Sequence, residues 1–208
     1  MLIGMCGLAG SGKDTCADHL VSRHRFTKIA LADPLKRAAA MWFGWSQHTL
    51  WGPSSARNQP DERYGGLTPR KALQVMGTEM GRTLYPDLWI EIALQTAERL
   101  STGRYGYDPQ FGIRDDVPAR QLRRDVVITD VRFRNEVKAI REAGGYVILL
   151  KRGMRDRPSW WKWWDRPHVS ERELLSIPES TFDFVLDNRE RSVHETKACL
   201  DVFMAAAR

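Results

Sequence analysis

Residues 7 to 15 read Gly-Leu-Ala-Gly-Ser-Gly-Lys-Asp-Thr, and their types and spacing suit one task, holding a polyphosphate. Gly7, Gly10 and Gly12 let backbone N–H groups converge on phosphate oxygens, Lys13 supplies a cation, and a helix opening at the end of the loop adds its positive pole. The GxxxxGK pattern is complete from Gly7 to Lys13. At the next position, where the motif has a magnesium-holding Ser or Thr, stands Asp14, and the hydroxyl follows one residue later at Thr15. The plain alternative is a glycine-rich turn with a solvated lysine. Against it stand the apolar run Leu2-Ile3-Gly4-Met5-Cys6 before the loop and an amphipathic stretch after it, the strand and helix that make the motif specific.

A second acidic position belongs with the loop. Val126-Val127-Ile128-Thr129-Asp130 is continuously apolar up to its last residues, as a parallel strand buried on both faces would be, and Asp130 sits at its carboxyl end. Ligands of open α/β sheets bind at the carboxyl ends of strands, so Lys13 and Asp130 are expected to face one site. The chemistry expected there is phosphoryl transfer or nucleoside triphosphate hydrolysis, which asks a protein for alignment and charge cancellation rather than covalent work. A phosphomonoester acceptor, with a second pKa of about 6, is mostly dianionic at neutral pH and needs no strong base. Two clustered polyanions do need cations. Lys36, Arg70, Arg132, Arg134 and the basic residues between Arg152 and Arg166 are the candidates, and an arginine fork aligns phosphate as well as neutralising it.

The elements that must position these groups alternate. Helices are predicted over 14–23, with Cys16, Ala17, Leu20 and Val21 on one face, and over 33–43, with Asp33 as N-cap and Pro34 at the first helical position. Residues 44–66 lose all period and read as an irregular insertion. Thr68-Pro69 opens a helix bearing Leu73, Met76 and Met80, but Gly77 and Gly81 inside it require a close backbone approach or a break near Gly77. Asp87 is placed to cap a helix with the stripe Ile90, Ala93, Leu94, Ala97 and Leu100, and a polar loop is expected over 101–124. Then come a helix over 135–143, a strand over 146–150, a short helix over 170–175, a strand over 182–186 and a terminal helix with Val193, Ala198, Leu200, Val202 and Phe203. With the strand over 26–32, this predicts an α/β fold: a parallel sheet of about five strands flanked by helices, with right-handed crossovers. A single domain over 1–208 is expected, with a helical substrate-binding insertion at 34–124 and a basic, Trp-rich mobile lid at 152–168. The four tryptophans of that lid read as an anchor seating it on the domain in preference to base stacking.

Composition sets outer limits. With 32 Lys and Arg against 26 Asp and Glu, the chain carries +6, yet it has no tract of about five or six consecutive like charges, and a small polyanion suffices as partner. Cys6, Cys16 and Cys199 have neither metal-ligand spacing nor a paired framework and read as reduced packing residues. No apolar run approaches a membrane span and no secretory pattern opens the chain, so a soluble cytoplasmic protein without a membrane partner is expected.

Taken together, the ordered blocks are more specific than the loop. Ser-Gly-Lys-Asp-Thr at 11–15, Ala-Asp-Pro-Leu-Lys at 32–36, Thr-Pro-Arg-Lys-Ala-Leu-Gln-Val-Met-Gly-Thr-Glu at 68–79 followed by Trp89, Asp-Val-Arg at 130–132 with Glu136, and His-Val-Ser-Glu at 168–171 span most of the chain. In this set the sequence resembles the bacteriophage deoxynucleoside monophosphate kinases, relatives of the adenylate and guanylate kinases. The resemblance implies a P-loop kinase fold, ATP and Mg2+ as cofactors, and phosphorylation of deoxynucleoside monophosphates to diphosphates. It implies that Gly10, Ser11, Gly12, Lys13, Asp14 and Thr15, with Arg152 from the lid, bind ATP. It also implies that Lys36, Arg70, Gly77, Thr78, Trp89, Asp130, Arg132 and Glu136 surround the monophosphate, with Lys13, Asp130 and Arg132 catalytic. Gly77 would then admit the nucleotide close to the backbone. Thr15, Asp130 or water alone would hold the magnesium, and spacing does not choose among them. Some relatives carry an arginine where this chain has Gly10, which assigns one phosphate cation to the lid. Small-molecule nucleotides are the implied partners, and a homodimer is expected from the habit of the phage enzymes. Two other readings stay open at this stage: a P-loop kinase of another phosphorylated metabolite such as dephospho-coenzyme A, and a nucleic-acid-binding NTPase.

Overall fold

The structure is a computed structural model and describes residues 1–8, 10–118, 121–151 and 169–207, with the side chains of 169–171 excepted. In chain order, β1 (Leu2–Gly7) leads through the loop to α1 (Lys13–His24), β2 (Thr27–Ala30), α2 (Asp33–Phe43) and α3 (Gln47–Trp51). Two 3-10 turns precede α4 (Pro69–Gln74), a π-helical stretch over Val75–Gly81, α5 (Arg82–Leu84) and α6 (Leu88–Ser101). There follow β3 (Gly106–Asp108), β4 (Gly112–Arg114), β5 (Val126–Val131), α7 (Arg134–Glu142), β6 (Tyr146–Lys151), α8 (Val169–Leu175), β7 (Phe184–Asp187) and α9 (Val193–Ala206). Five strands form one parallel sheet in the order β2-β5-β1-β6-β7, and β3 and β4 form a separate antiparallel hairpin. By contacts the chain divides into two compact units, residues 1–28 with 123–208, and residues 29–122.

In the sheet unit the apolar residues of the strands build the core. Ile3, Met5, Val127, Ile148, Leu150 and Leu186 pack with Cys16, Ala17 and Leu20 of α1 and Leu200 and Met204 of α9. Each large side chain among them contributes about 1.5–3 kcal/mol by leaving water. The stripes shift from those expected. Val21 is 39 % exposed, and α9 buries Thr196, Leu200 and Met204 at i, i+4, i+8 while Val202, on the other face, is 72 % exposed. Cys6 and Cys16 are buried and free, as packing residues, and burial pushes the Cys16 thiol up to about 11.

The helical unit departs further from expectation. Asp33 is the first residue of α2 and its N-cap is Ala32, so the side chain caps nothing. It is 3 % exposed and works as an internal acceptor: Oδ2 takes the Ala30 N–H (3.0 Å) and the Tyr107 hydroxyl (2.9 Å), Oδ1 the Trp51 indole N–H (3.0 Å). Burial first, then the Asp33 charge, pushes the Tyr107 phenol well above its ordinary range. Tyr107 belongs to the β3-β4 hairpin, which occupies part of the stretch expected to be a polar loop. Three residues per strand carry too little period to announce themselves. Within 44–66, expected to be irregular, α3 forms under a Ser46 cap whose Oγ accepts the Thr49 N–H at 3.2 Å.

Thr68 caps α4 as expected, accepting the Lys71 N–H at 3.2 Å. Beyond Gln74 the helix neither breaks nor continues as α-helix but widens into the π-helical stretch, and Met80, expected inside, is 52 % exposed. A Cβ at Gly81 would overlap the Trp89 indole, and one at Gly77 would lie 3.1 Å from Leu35 Cδ2. Trp89 closes the arrangement by donating its indole N–H to the Gly77 carbonyl at 2.8 Å. The close approach that the two glycines required is made here by the protein's own side chains. Asp87 stands at the N-cap of α6 without a side-chain capping bond.

Candidate active site

The loop after β1 gains its shape from two glycines in left-handed conformations, Gly10 (φ 78°) and Gly12 (φ 93°), the second being the N-cap of α1. A side chain at either position would be strained. Lys13, the first residue of α1, is 6 % exposed, and its ammonium donates to the Leu8 carbonyl at 3.4 Å, a long bond that a better acceptor could replace. Ser11 is 2 % exposed, and its Oγ is the one buried side-chain polar atom among the described residues without a hydrogen-bond partner. An unsatisfied buried hydroxyl costs about 1–3 kcal/mol unless something pairs with it. Backbone amides, a buried ammonium and an orphan hydroxyl at the N-terminus of a twelve-residue helix are the donor set of a phosphate site, and the loop fits a nucleotide polyphosphate. Asp14 and Thr15 lie on the exposed side of the first turn.

Asp130 is held by an irregularity of the strand. Gly4 of β1 pairs with Ile128 but Cys6 pairs with Val131, so β5 has one residue more than β1 over this interval. Asp130 lies in that bulge with φ 67°, a left-handed conformation shared among described non-glycine residues only with Arg25, a helix C-cap. Bulges re-aim side chains, and this one holds the Asp130 carboxylate at the strand's carboxyl end at a backbone cost of about 1–2 kcal/mol. The neighbourhood is electrostatically linked: burial foremost raises the Cys6 thiol, Glu136 raises it further and Lys13 lowers it.

The other nominated residues divide. Glu136 is 3 % exposed and caps its own helix, Oε2 accepting the N–H groups of Arg132 (2.8 Å) and Phe133 (3.1 Å). It thereby fixes the backbone at Arg132, two residues past Asp130. Arg134 donates to the Ser176 carbonyl. In the helical unit, Arg70 is tied to Asn58 Oδ1 (2.5 Å) and Ser54 Oγ (2.6 Å). Lys36 places its ammonium 5.7 Å from the Trp51 ring centroid, in reach of a cation–π interaction. Thr78 lies in the π-helical stretch between Gly77 and Gly81. Arg152 and the segment expected to be a lid lie outside the described residues.

Two features escape sequence reasoning. Asn188, just after β7, donates from Nδ2 to the Ser11 carbonyl (3.3 Å), accepts at Oδ1 from the Thr196 hydroxyl (2.9 Å), and donates its backbone N–H to the Lys151 carbonyl (2.6 Å). It braces the phosphate loop from the far strand, and an asparagine in a polar loop carries no motif that would announce this. The second is a cleft of about 620 Å³ in the helical unit, lined by Trp45, Ser46, His48, Asp61 and Arg63 among others and by none of the nominated residues.

No protein-family model matches the chain. A protein of Acanthamoeba polyphaga mimivirus named "Putative deoxynucleotide monophosphate kinase" is 35 % identical over 204 residues, covering 97 % of this chain and 96 % of its own. Among solved structures, the shikimate kinase of Aquifex aeolicus VF5 superposes with a TM-score of 0.50 at 14 % identity, covering 99 % of this chain and 97 % of that one, a likeness of fold. Among the described residues no helix is long and apolar enough to cross a membrane. With the phosphate loop in place at the head of α1, the five-stranded parallel sheet beneath it and a relative matching end to end, the chain is a kinase and belongs to the family of that mimivirus deoxynucleotide monophosphate kinase.

Proposed function

We propose that this kinase transfers a phosphoryl group from ATP to deoxynucleoside monophosphates, giving the diphosphates, in the manner of the phage enzymes its motifs resemble. The observation that carries the reading is the 35 % identity over 204 residues with a protein of that name, a match that spans nearly the whole chain rather than the loop alone. The loop supports the donor half: Lys13 and the amides of Gly10 to Thr15 hold and neutralise the triphosphate, and Ser11 Oγ gains the partner it lacks. Magnesium, when bound with the nucleotide, would draw charge from the phosphates, and Thr15 and Asp130 are the residues offered to it.

Asp130, kept out of the regular strand by its bulge, also orients the acceptor, and Arg132, its backbone fixed by Glu136, binds the acceptor phosphate. The resemblance further offers Lys36, Arg70, Thr78 and Trp89 of the helical unit for acceptor recognition, while the Gly77 carbonyl is taken by the Trp89 indole. Because the acceptor is dianionic near neutrality, orientation and charge cancellation suffice. A coupled assay of ADP production with each deoxynucleoside monophosphate in turn tests the reading. Turnover with at least one is expected, and no turnover with any overturns it.

A further inference from the structure

Away from the phosphate loop, α1 and α9 bring together two imidazoles and a carboxylate that the reaction does not use. His19 Nε2 lies 2.7 Å and His24 Nε2 2.6 Å from the same atom, Oδ1 of Asp201, and the three ligand atoms lie within 4.8 Å of one another. The side chains of His19 and His24 are 13 % and 15 % exposed and that of Asp201 is 40 % exposed, so the cluster is seated in the surface with one side open to solvent. The rings meet edge to face at 5.8 Å between centroids, pointing two nitrogens at one place from different directions. Among the described residues this is the one cluster of its kind.

We propose that His19, His24 and Asp201 form a binding site for a zinc-like divalent transition metal, with the fourth position left to water. The donor set decides the class of ion: two imidazoles and one carboxylate suit Zn2+, Co2+ or Ni2+ and do not suit Mg2+ or Ca2+, which take oxygen. The geometry asks for little movement. Zinc bonds of about 2.0–2.2 Å in a tetrahedral arrangement put ligand atoms a little over 3 Å apart, so the present hydrogen-bonded contacts need to open by less than about 1 Å. Binding replaces the hydrogen bonds that now join the imidazoles to Asp201: each neutral ring presents its Nε2 lone pair to the ion and carries its proton on Nδ1. Its place in the fold gives it a consequence. α1 begins at Lys13, and α9 carries Thr196, which holds Asn188 against the Ser11 carbonyl. An ion at the other end of α1 would fasten the same two helices together.

The test uses the chelator-treated, full-length protein without nucleotide, titrated with Zn2+ alone by calorimetry and with Co2+ alone by visible absorption, beside thermal unfolding. The wild type is expected to bind one Zn2+ per chain, to show the spectrum of nitrogen-ligated Co2+ and to unfold at a higher temperature with the ion. His19→Ala and Asp201→Asn should each weaken Zn2+ binding by more than about tenfold, since even outer partners of a metal site are worth about 10–100-fold. His24→Gln, closer in size to the native side chain, provides a second disruption where the alanine variant folds poorly. Asp130→Asn should leave Zn2+ binding unchanged. Absence of Zn2+ binding by the wild type, equal binding by the His19, His24 and Asp201 variants, or loss of binding on Asp130→Asn instead, would overturn the proposal.

Discussion

The loop at the head of α1 and the carboxylate hub of the helical unit are both buried and polar, and they solve the problem of burial in opposite ways. Around Asp33 the donors and acceptors meet one another: Trp51, Tyr107 and the Ala30 amide all converge on one carboxylate. In the loop, among the described residues, Ser11 Oγ has no hydrogen-bond partner and the Lys13 ammonium makes a long bond to the Leu8 carbonyl. A satisfied polar cluster spends its interactions on the fold, whereas an unsatisfied one keeps them for a ligand. Function is therefore read from the groups the protein leaves incomplete, and the distinction can be broken by experiment.

The largest effect is expected at Lys13. Lys13→Ala should lower turnover by about 10³-fold, by analogy with removal of a pre-organised electrostatic group, while thermal unfolding stays within a few degrees of wild type. A collapse of stability with turnover in the folded fraction intact would make the loop a structural cluster after all. Asp33→Ala should do the reverse, costing about 3 kcal/mol in urea unfolding by stranding buried donors, with activity following the folded fraction. Gly81→Ala comes next, at about 1–3 kcal/mol, because its methyl group would push on Trp89 and Met76.

At the bulge the backbone and side chain separate. Asp130→Gly should be more stable than Asp130→Ala by about 1 kcal/mol, since only glycine relieves φ 67°, yet both should lose most activity. Equal stabilities would remove the strain argument. The smallest effect falls at Asn188: Asn188→Ala should cost about 1 kcal/mol and raise the KM for ATP with kcat nearly unchanged. An altered kcat at constant KM would move Asn188 from bracing the loop to the chemistry.

The same contrast explains what could be read from the sequence. The parallel sheet and phosphate loop were legible because strong periodicity and a motif with a mechanism coincide, as at Leu2 to Lys13 and Val126 to Asp130. Asp130 could be placed at a strand end, but its bulge could not, because the extra residue appears only once β1 and β5 are paired. The helical unit resisted for a different reason. Asp33-Pro34 has the pattern of a cap, yet tertiary partners recruit the carboxylate inward, and Gly77 and Gly81 announced a close approach without naming Trp89 as the group approaching. Long-range hydrogen bonds such as Asn188 to Ser11 span 177 positions and leave no local trace.

The most direct test of deoxynucleoside monophosphate kinase activity through Lys13 is the coupled assay of ADP formation with ATP and each deoxynucleoside monophosphate, run in parallel on wild type and Lys13→Ala. The wild type is expected to turn over at least one monophosphate, and Lys13→Ala, while remaining folded, to lose that turnover by about 10³-fold. Turnover that survives Lys13→Ala, or a wild type that uses no deoxynucleoside monophosphate, would contradict this expectation.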